Sequence, residues 1–211
     1  MVSWLAARSS SGARVAALLV LLSLTWPAAA PAVEPAAAHH PGWAEPLQYG
    51  EGLPNLYRVS HDLLRGAQPT KKGFGALRRL GVRTVINVRT GRHEATVCER
   101  NGLRYVEIPM RAWSFEQDDV VRFLEVAASP DHAPVFVHCR RGADRTGMLV
   151  AVYRVAVLGW SKEDALEEMT HGPYGYNPAW KKLVYFVEDM DVAQLRRAAG
   201  LDATDDIGSE R

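Results

Sequence analysis

The sequence predicts an α/β fold in which a central, mostly parallel sheet is flanked by helices on both faces. From residue 55 onward, short runs rich in β-branched residues alternate with stretches of helical periodicity. Glycines stand where the helices should end, the usual place of a left-handed C-cap; they are Gly81, Gly102 and Gly159. This alternation is typical of strand–helix–strand units, so we expect parallel strands joined by helical crossovers.

The elements follow one another in regular order. The predicted strands are Leu56–Val59, Val82–Val88, Arg104–Ile108 and Val135–His138. The predicted helices are Gly75–Leu80, Ala95–Arg100, Gln117–Ala127 and Arg145–Val157, with two more beginning near Ser161 and Pro178. Ser161 has the side chain of an N-cap. Ser114 followed by Gln117 predicts a capping box before the third helix, with acidic residues in its first turn offsetting the helix dipole.

The N-terminal residues differ from the rest of the chain. Arg8 and Arg14 precede the apolar run Val15–Leu24, and Pro27–Ala30 offers small residues for cleavage. This layout predicts a signal peptide over residues 1–30 and a periplasmic or secreted protein. The apolar run is about ten residues long and a membrane-spanning helix takes about twenty, so we expect no stable membrane anchor after cleavage.

The remaining 181 positions of the 211-residue chain predict one catalytic domain with short appendages, because single cores usually close at about 100 to 200 residues. Residues 31–45 are rich in Ala and Pro and predict a linker. We expect the catalytic domain over residues 46–199, a flexible tail over 200–211, and a monomer. Cleavage after residue 30 leaves 23 basic and 24 acidic side chains, a balance that does not favour nucleic acid as a partner.

Two cysteines, Cys98 and Cys139, are too few for a disulfide scaffold in an exported protein. We therefore expect at least one of them to remain a thiol for chemical reasons. Cys98 lies in a predicted helix, where a buried structural thiol is the default interpretation. The alternative is a resolving thiol that protects Cys139 in a reversible disulfide.

The residues that carry the chemistry lie in the segment His138–Gly147, which we call the crossover loop. It joins a predicted buried strand to a predicted buried helix at the carboxyl end of the sheet, where open α/β sheets place ligands. Gly142 frees the turn, so that successive N–H groups can point at one anion beside the N-terminus of the helix. Arg145 can close this cradle with a planar fork that grips two phosphate oxygens.

The same field acts on Cys139, because inward amides, a helix N-terminus and a guanidinium all favour its thiolate. A thiolate under a bound phosphate predicts in-line attack on phosphorus and a phosphocysteine that water hydrolyses. Neither a metal nor another cofactor is required. We expect Thr146 to donate to the sulfur and make it a better leaving group, and His138 to orient the loop through its backbone.

The run Cys139–Gly147 resembles the signature loop of protein tyrosine and dual-specificity phosphatases. The likeness to exported bacterial tyrosine phosphatases covers about residues 43–190 and includes Asn55–Arg58, Tyr153–Arg154 with Gly159–Trp160, and Ala165–Met169. The resemblance implies hydrolysis of phosphotyrosine in a protein, with dual specificity or another phosphomonoester as further options. The implied substrate-binding residues are those between the cysteine and the arginine: Arg140, Arg141, Gly142, Ala143 and Asp144.

The resemblance also implies an aspartate that protonates the leaving phenolate, four residues after a proline on the loop before the third helix. This chain has Trp113 there, after Pro109. We name Asp118 as the candidate general acid and Glu116 as the alternative, while Asp119 and both of these also suit a helix cap. Trp113 is either a core side chain or a contact for the ring of a substrate.

Three other functions remain open. One is an inositol phosphate or phosphoinositide phosphatase, which shares the loop; the Asp144 carboxylate disfavours highly phosphorylated ligands, whereas Arg140 and Arg141 favour them. Another is a phosphate-binding module without turnover, because the expected aspartate is missing. The most distant is a redox or sulfur-transfer enzyme, which makes less use of Arg145 and Thr146.

Overall fold

The structure is a computed structural model that describes residues 42–49, 52–91 and 93–202. The predicted signal peptide, the first part of the linker and residues 203–211 of the predicted tail lie outside the described residues. Within the described part, no helix has the length and apolar character needed to cross a membrane.

Six strands form one mixed sheet in the described part of the chain. They are β1 (Glu45–Pro46), β2 (Tyr57–Arg58), β3 (Leu63–Gly66), β4 (Thr84–Asn87), β5 (Arg104–Glu107) and β6 (Val135–His138). Their order in the sheet is β1-β2-β3-β6-β4-β5. The two pairings at the β1 edge are antiparallel, and the other three are parallel. The mostly parallel sheet predicted from the sequence is confirmed.

The helices among the described residues occupy the crossovers and the C-terminal third. They are α1 (Lys71–Arg79), α2 (Ala95–Arg100), α3 (Gln117–Ala127), α4 (Asp144–Ala156), α5 (Lys162–His171), α6 (Lys181–Asp189) and α7 (Val192–Ala198). The Ser161 hydroxyl caps α5 by accepting from the Asp164 N–H at 3.0 Å, as predicted. Gly81, Gly102 and Gly159 have positive φ, also as predicted.

Helices cover both faces of the sheet, and the alternation along β6 shows this directly. Val135 and Val137 belong to a core cluster with α3 to α7, whereas Phe136 between them belongs to a second cluster with α1 and α2. All three side chains are fully buried. The central position of β6 therefore explains why the crossover loop starts from a rigid strand.

The structure differs from the prediction at several elements. The central strand β3 was not predicted, because Leu63–Gly66 contains an arginine and a glycine and lacks an alternating pattern. The helix expected to begin near Pro178 begins at Lys181, and the short helix α7 that follows it was not predicted. The predicted capping box at Ser114 is wrong: Glu116 is the N-cap of α3, and its N–H donates to the Asp119 carboxylate at 3.0 Å. The backbone of Ser114 is instead paired with Arg111 in a β-bridge.

Candidate active site

The crossover loop lies at the carboxyl end of the parallel strands, between the last residue of β6 and the first turn of α4. The backbone carbonyls of residues 139–142 point out of the loop, where other groups contact them. His138 Nδ1 lies 3.2 Å from the Cys139 oxygen, and the Gln68 N–H donates to the Arg140 oxygen at 3.4 Å. Asn55 Nδ2 donates to the Arg141 oxygen at 2.8 Å, and Arg65 Nη2 donates to the Gly142 oxygen at 2.9 Å. Because each peptide places its N–H opposite its C=O, outward carbonyls turn the loop amides inward.

Gly142 is the residue that makes this curvature possible. Its φ is +71°, which is the left-handed region that side chains disfavour. A Cβ atom at this position would lie 2.3 Å from the carbonyl carbon of Gly66 and 2.6 Å from the N atom of Ala67. The loop therefore packs directly on the backbone at the end of β3, a contact that any side chain would block.

Cys139 lies in this loop and is only 2% exposed. Burial opposes ionisation of its thiol, but the Thr146 hydroxyl, the Arg145 charge and the N–H groups of Thr146 and Arg141 together hold its pKa below the ordinary value. Among the residues that the structure describes, the buried Thr146 hydroxyl has no oxygen or nitrogen partner, which leaves it for the sulfur. The site thus favours a thiolate.

Arg145 is anchored across two neighbouring strand ends. Its Nη1 donates to the carbonyl oxygens of Val88 at 3.2 Å and of Met110 at 3.0 Å. Within the described residues its other guanidinium nitrogens have no protein partner, and the side chain lines the cavity above Cys139. A fixed guanidinium with free donors is suited to grip an oxyanion.

His138 faces away from Cys139, onto the other face of the sheet, where its ring stacks on Phe136 at 5.6 Å. Its Nε2 lies 3.0 Å from the Glu94 carboxylate, which accepts from Gln68 Nε2 at 2.6 Å. Arg89 in turn donates to the Gln68 side-chain oxygen. The ring therefore lies beside a buried carboxylate beneath the crossover loop, and its hydrogen-bond contact to the loop is the one from Nδ1 to the Cys139 oxygen.

A cavity of about 630 Å³ opens above Cys139, and we call it the Cys139 cavity. Its lining residues are Thr90, Arg111, Ala112, Trp113, Cys139, Arg140, Arg141, Asp144, Arg145 and Trp180. Sequence reasoning assigned no site role to Thr90, Arg111, Ala112 or Trp180. Arg111 and Ala112 lie beside Trp113 on the loop where the general acid was expected, whereas no local pattern brings Thr90 or Trp180 to the crossover loop. Gly142 and Ala143, expected to bind substrate, are buried loop residues outside this lining.

The cavity is more cationic than the sequence suggested. Four arginines line it, against one carboxylate, that of Asp144. Both oxygens of this carboxylate are used: one accepts from Arg141 Nη2 at 3.1 Å and the other from the Asn177 N–H at 2.8 Å. Asp144 therefore ties the loop before α6 to the crossover loop, and it repels anions less than a free carboxylate would.

The carboxylates considered as general acid lie elsewhere. Glu116 and Asp118 are exposed, and neither they nor Asp119 line the Cys139 cavity. Asp119 accepts from the Glu116 N–H in the cap of α3. Trp113, at the position where the resemblance implies an aspartate, is 60% exposed and is not a core side chain.

Cys98 is completely buried in the cluster with α1 and α2, on the face of the sheet opposite the cluster that contains Cys139. Burial, with a further contribution from the Glu94 charge, raises the pKa of its thiol to about 12. Both cysteines are free thiols in different core clusters, so the structure favours the structural interpretation of Cys98.

Three comparisons place the chain among known proteins. The family described as "DSP-PTPase phosphatase fused to NAD+ Kinase" matches residues 53–175. Dual specificity protein phosphatase TpbA of Pseudomonas aeruginosa is 34% identical over 168 residues, which make up 79% of this chain and 75% of TpbA. Inositol diphosphatase DSP5 of Arabidopsis thaliana is 26% identical over 153 residues, covering 68% of this chain and 73% of DSP5.

Among solved structures, a P. aeruginosa TpbA variant in complex with pTyr matches with a TM-score of 0.67 at 32% identity, covering 77% of this chain and 98% of that one. The sheet and the loop between β6 and α4 define a phosphatase of the protein tyrosine phosphatase class. The chain belongs to the dual-specificity family of that class, which confirms the resemblance stated from its sequence.

Proposed function

We propose that this phosphatase hydrolyses phosphotyrosine in proteins, with Cys139 as the nucleophile and a phosphocysteine intermediate. The observation that carries the proposal is the Cys139 thiol, held by Thr146 and Arg145 with a lowered pKa in a loop whose amides turn inward. The similarity to TpbA, whose structure contains pTyr, supports the choice of substrate.

In the first step the Cys139 sulfur attacks phosphorus, an S–P bond forms, and the bond between phosphorus and the tyrosine oxygen breaks. The inward amides and the free donors of Arg145 stabilise charge on the three equatorial oxygens. In the second step water attacks phosphorus and the thiolate leaves. Thr146 stabilises that thiolate as it forms, because its hydroxyl donates to the sulfur.

The leaving oxygen takes its proton from a carboxylic acid or from water. Asp118, with Glu116 as the alternative, reaches it only if the N-terminus of α3 moves toward the cavity. Asp144 lies in the lining without movement, but both of its oxygens are already hydrogen-bond acceptors. Each carboxylate oxygen has a second lone pair, so an ionised Asp144 can still accept a proton from the attacking water in the second step.

Export remains part of the proposal. Its support is the arrangement of Arg8, Arg14 and the apolar run Val15–Leu24, together with the similarity to TpbA. Fusion of residues 1–41 to alkaline phosphatase, an enzyme active only after export, tests it. The fusion should be active and cleaved near Ala30, and an inactive, uncleaved fusion would contradict export.

A second candidate is hydrolysis of a phosphoanhydride on a highly phosphorylated ring. Four arginines at one cavity favour a polyanion, and the partnered Asp144 offsets them little. A phosphate leaving group also needs no general acid, which fits a cavity without a free carboxylate among its described residues. The similarity to inositol diphosphatase DSP5 supports this alternative.

One experiment addresses both. Phosphate release from a phosphotyrosyl peptide and from an inositol diphosphate is measured for the wild type, Cys139→Ser and Cys98→Ala. We expect preference for the peptide, loss of at least about a thousandfold in kcat for Cys139→Ser, and near-normal kcat for Cys98→Ala. Preference for the inositol diphosphate supports the second candidate, and Cys139→Ser with full activity contradicts both.

A further inference from the structure

We propose that Trp113 and Trp180, here called the tryptophan pair, form a subsite for the ring of an aryl phosphomonoester whose phosphate occupies the crossover loop. The inference rests on the proposed function and deepens it, because it assigns the residues that select an aromatic leaving group over a saturated ring.

The Trp113 side chain is exposed to solvent and does not pack in the hydrophobic core. At 60% exposure it is the most exposed large hydrophobic side chain of the described residues, ahead of Tyr185 at 54% and Leu158 at 38%. Unlike those two, it lines the Cys139 cavity. A large aromatic surface left in water at the mouth of a ligand cavity indicates a contact surface for a ligand.

The orientation of Trp113 is fixed before any ligand binds. The turn that carries it is closed by two backbone hydrogen bonds of 3.1 Å between Arg111 and Ser114. The indole stacks on Trp180, with 5.6 Å between ring centroids and 27° between planes, and the Arg111 guanidinium lies 5.9 Å from its centroid. Such a surface binds a ring with little loss of side-chain entropy.

Trp180 is connected to the crossover loop itself. It is the N-cap residue of α6, its N–H donates to the Asn177 oxygen at 3.1 Å, and its carbonyl accepts from the Tyr176 hydroxyl at 3.0 Å. The Asn177 N–H donates to Asp144, at the start of α4. These hydrogen bonds fix the position of the tryptophan pair relative to the crossover loop, which would bind phosphate.

This arrangement favours one chemical class of substrate. An aryl phosphate has its ring one ester oxygen away from phosphorus, so a phosphate above Cys139 brings the ring to the cavity mouth. Indole faces attract aromatic rings through stacked and edge-to-face contacts, whereas a polyhydroxylated saturated ring offers no such face.

The test compares two substrates that share a reactive phosphate but differ in the ring: phenyl phosphate, and acetyl phosphate, which has no ring and whose leaving group needs no proton. Trp113→Ala and Trp180→Ala should each lower kcat/KM for phenyl phosphate by about two- to tenfold, mainly through KM, since one aromatic contact is worth about that factor. Both variants should keep kcat/KM for acetyl phosphate, and Trp113→Phe should restore most of the loss.

Tyr185→Ala is the matched control, because it removes an exposed aromatic side chain of α6 that does not line the cavity. Inhibition by vanadate, which occupies the crossover loop alone, reports whether that loop is intact. Equal losses on both substrates, or no loss on phenyl phosphate, overturn the inference. A failure of Cys139→Ser to lose activity is a separate result, which overturns the proposed function.

Discussion

The guanidinium of Arg65 donates to the carbonyl oxygen of Gly142 at 2.9 Å from a completely buried position. Its Cζ lies 3.7 Å from the centroid of the Tyr174 ring, and burial lowers its pKa while the charges of Tyr174, Glu168 and Cys139 raise it. A buried cation is costly unless an anion compensates it. We interpret Arg65 as a positioning residue that fixes the crossover loop and stabilises the Cys139 thiolate from behind.

Replacement of Arg65 tests this interpretation. Arg65→Met removes the positive charge, so the pKa of Cys139 should rise and its alkylation by iodoacetamide should shift to higher pH. Reactivity increases as the pH passes through the thiol pKa, so the wild-type curve should reach its plateau at lower pH than the variant curve. Arg65→Lys keeps the charge and should shift the curve less.

The alkylation must be read by mass spectrometry at each thiol, and Cys98 serves as the internal reference because its pKa is raised to about 12. The comparison is valid only if both variants show the same cooperative thermal unfolding transition as the wild type, which establishes that they are folded. Identical pH curves for wild type and Arg65→Met, in a folded protein, would remove the electrostatic role of Arg65.

Gly142→Ala should lower activity strongly, because the added methyl group has no room. Its Cβ would meet backbone atoms at the end of β3, which cannot move aside as a flexible side chain can. Gly81→Ala is the control, since Gly81 also has positive φ, at +85°, but nothing lies within 4 Å of its added Cβ. Both substitutions cost about 1–2 kcal/mol of left-handed strain.

We expect Gly142→Ala to lose at least about a hundredfold in kcat/KM, since the loop amides then move from the positions that stabilise the oxyanion. Gly81→Ala should lose only stability in urea unfolding. Similar kinetics for the two variants would mean that the close approach at Gly142 is not required.

Glu168 is a buried carboxylate of α5 that contacts α4, the N-terminal segment and the loop before α6. It pairs with Arg154 at 2.8 and 3.0 Å and also accepts from the Ala44 N–H and the Tyr174 hydroxyl. Glu168→Ala leaves Arg154 buried without its anion, so it should lower the free energy of unfolding by about 3–5 kcal/mol. Urea denaturation measures the change. The neighbouring exposed Glu167→Ala should be nearly neutral, and a cost shared by both would contradict the assignment.

The pH–rate profiles of variants, measured with a phosphotyrosyl peptide, show which carboxylate takes part in proton transfer. If the leaving oxygen is protonated without help from α3, Glu116→Ala and Asp118→Ala should keep the basic limb of kcat. Asp144→Asn should lower kcat and slow the second step, which appears as a larger burst of dephosphorylated peptide before steady turnover. Loss of the basic limb in Asp118→Ala alone would show that the N-terminus of α3 closes over the substrate.

The sequence predicted the local features and missed those that depend on distant segments. Cys139, Gly142 and Arg145 stand within one loop, so their spacing alone indicated the anion cradle. Trp180 reaches the cavity from a helix more than thirty residues farther along the chain, and Arg65 supports the loop from a strand whose residues lack a strand pattern. Only the parallel pairing of β3 with β6 brings Arg65 beneath Gly142.

The electrostatic effect of Asp144 also could not be predicted from the sequence alone. As a residue in a loop it is an acid at the mouth of the site, and this predicted a weaker attraction for polyanions. In the fold its oxygens accept from Arg141 and Asn177, and Arg111 adds a further positive charge. The electrostatic character of the cavity therefore depended on contacts that no local pattern encodes.

In the proposed mechanism, Cys139 carries the phosphoryl group during turnover. Rapid acid quenching of the wild-type enzyme with a phosphotyrosyl peptide, followed by mass spectrometry of the peptide that contains Cys139, tests it directly. We expect a phosphate adduct on Cys139 that accumulates in Asp144→Asn and is absent from Cys139→Ser. Full turnover with the adduct absent from Cys139, or present on another residue, would contradict it.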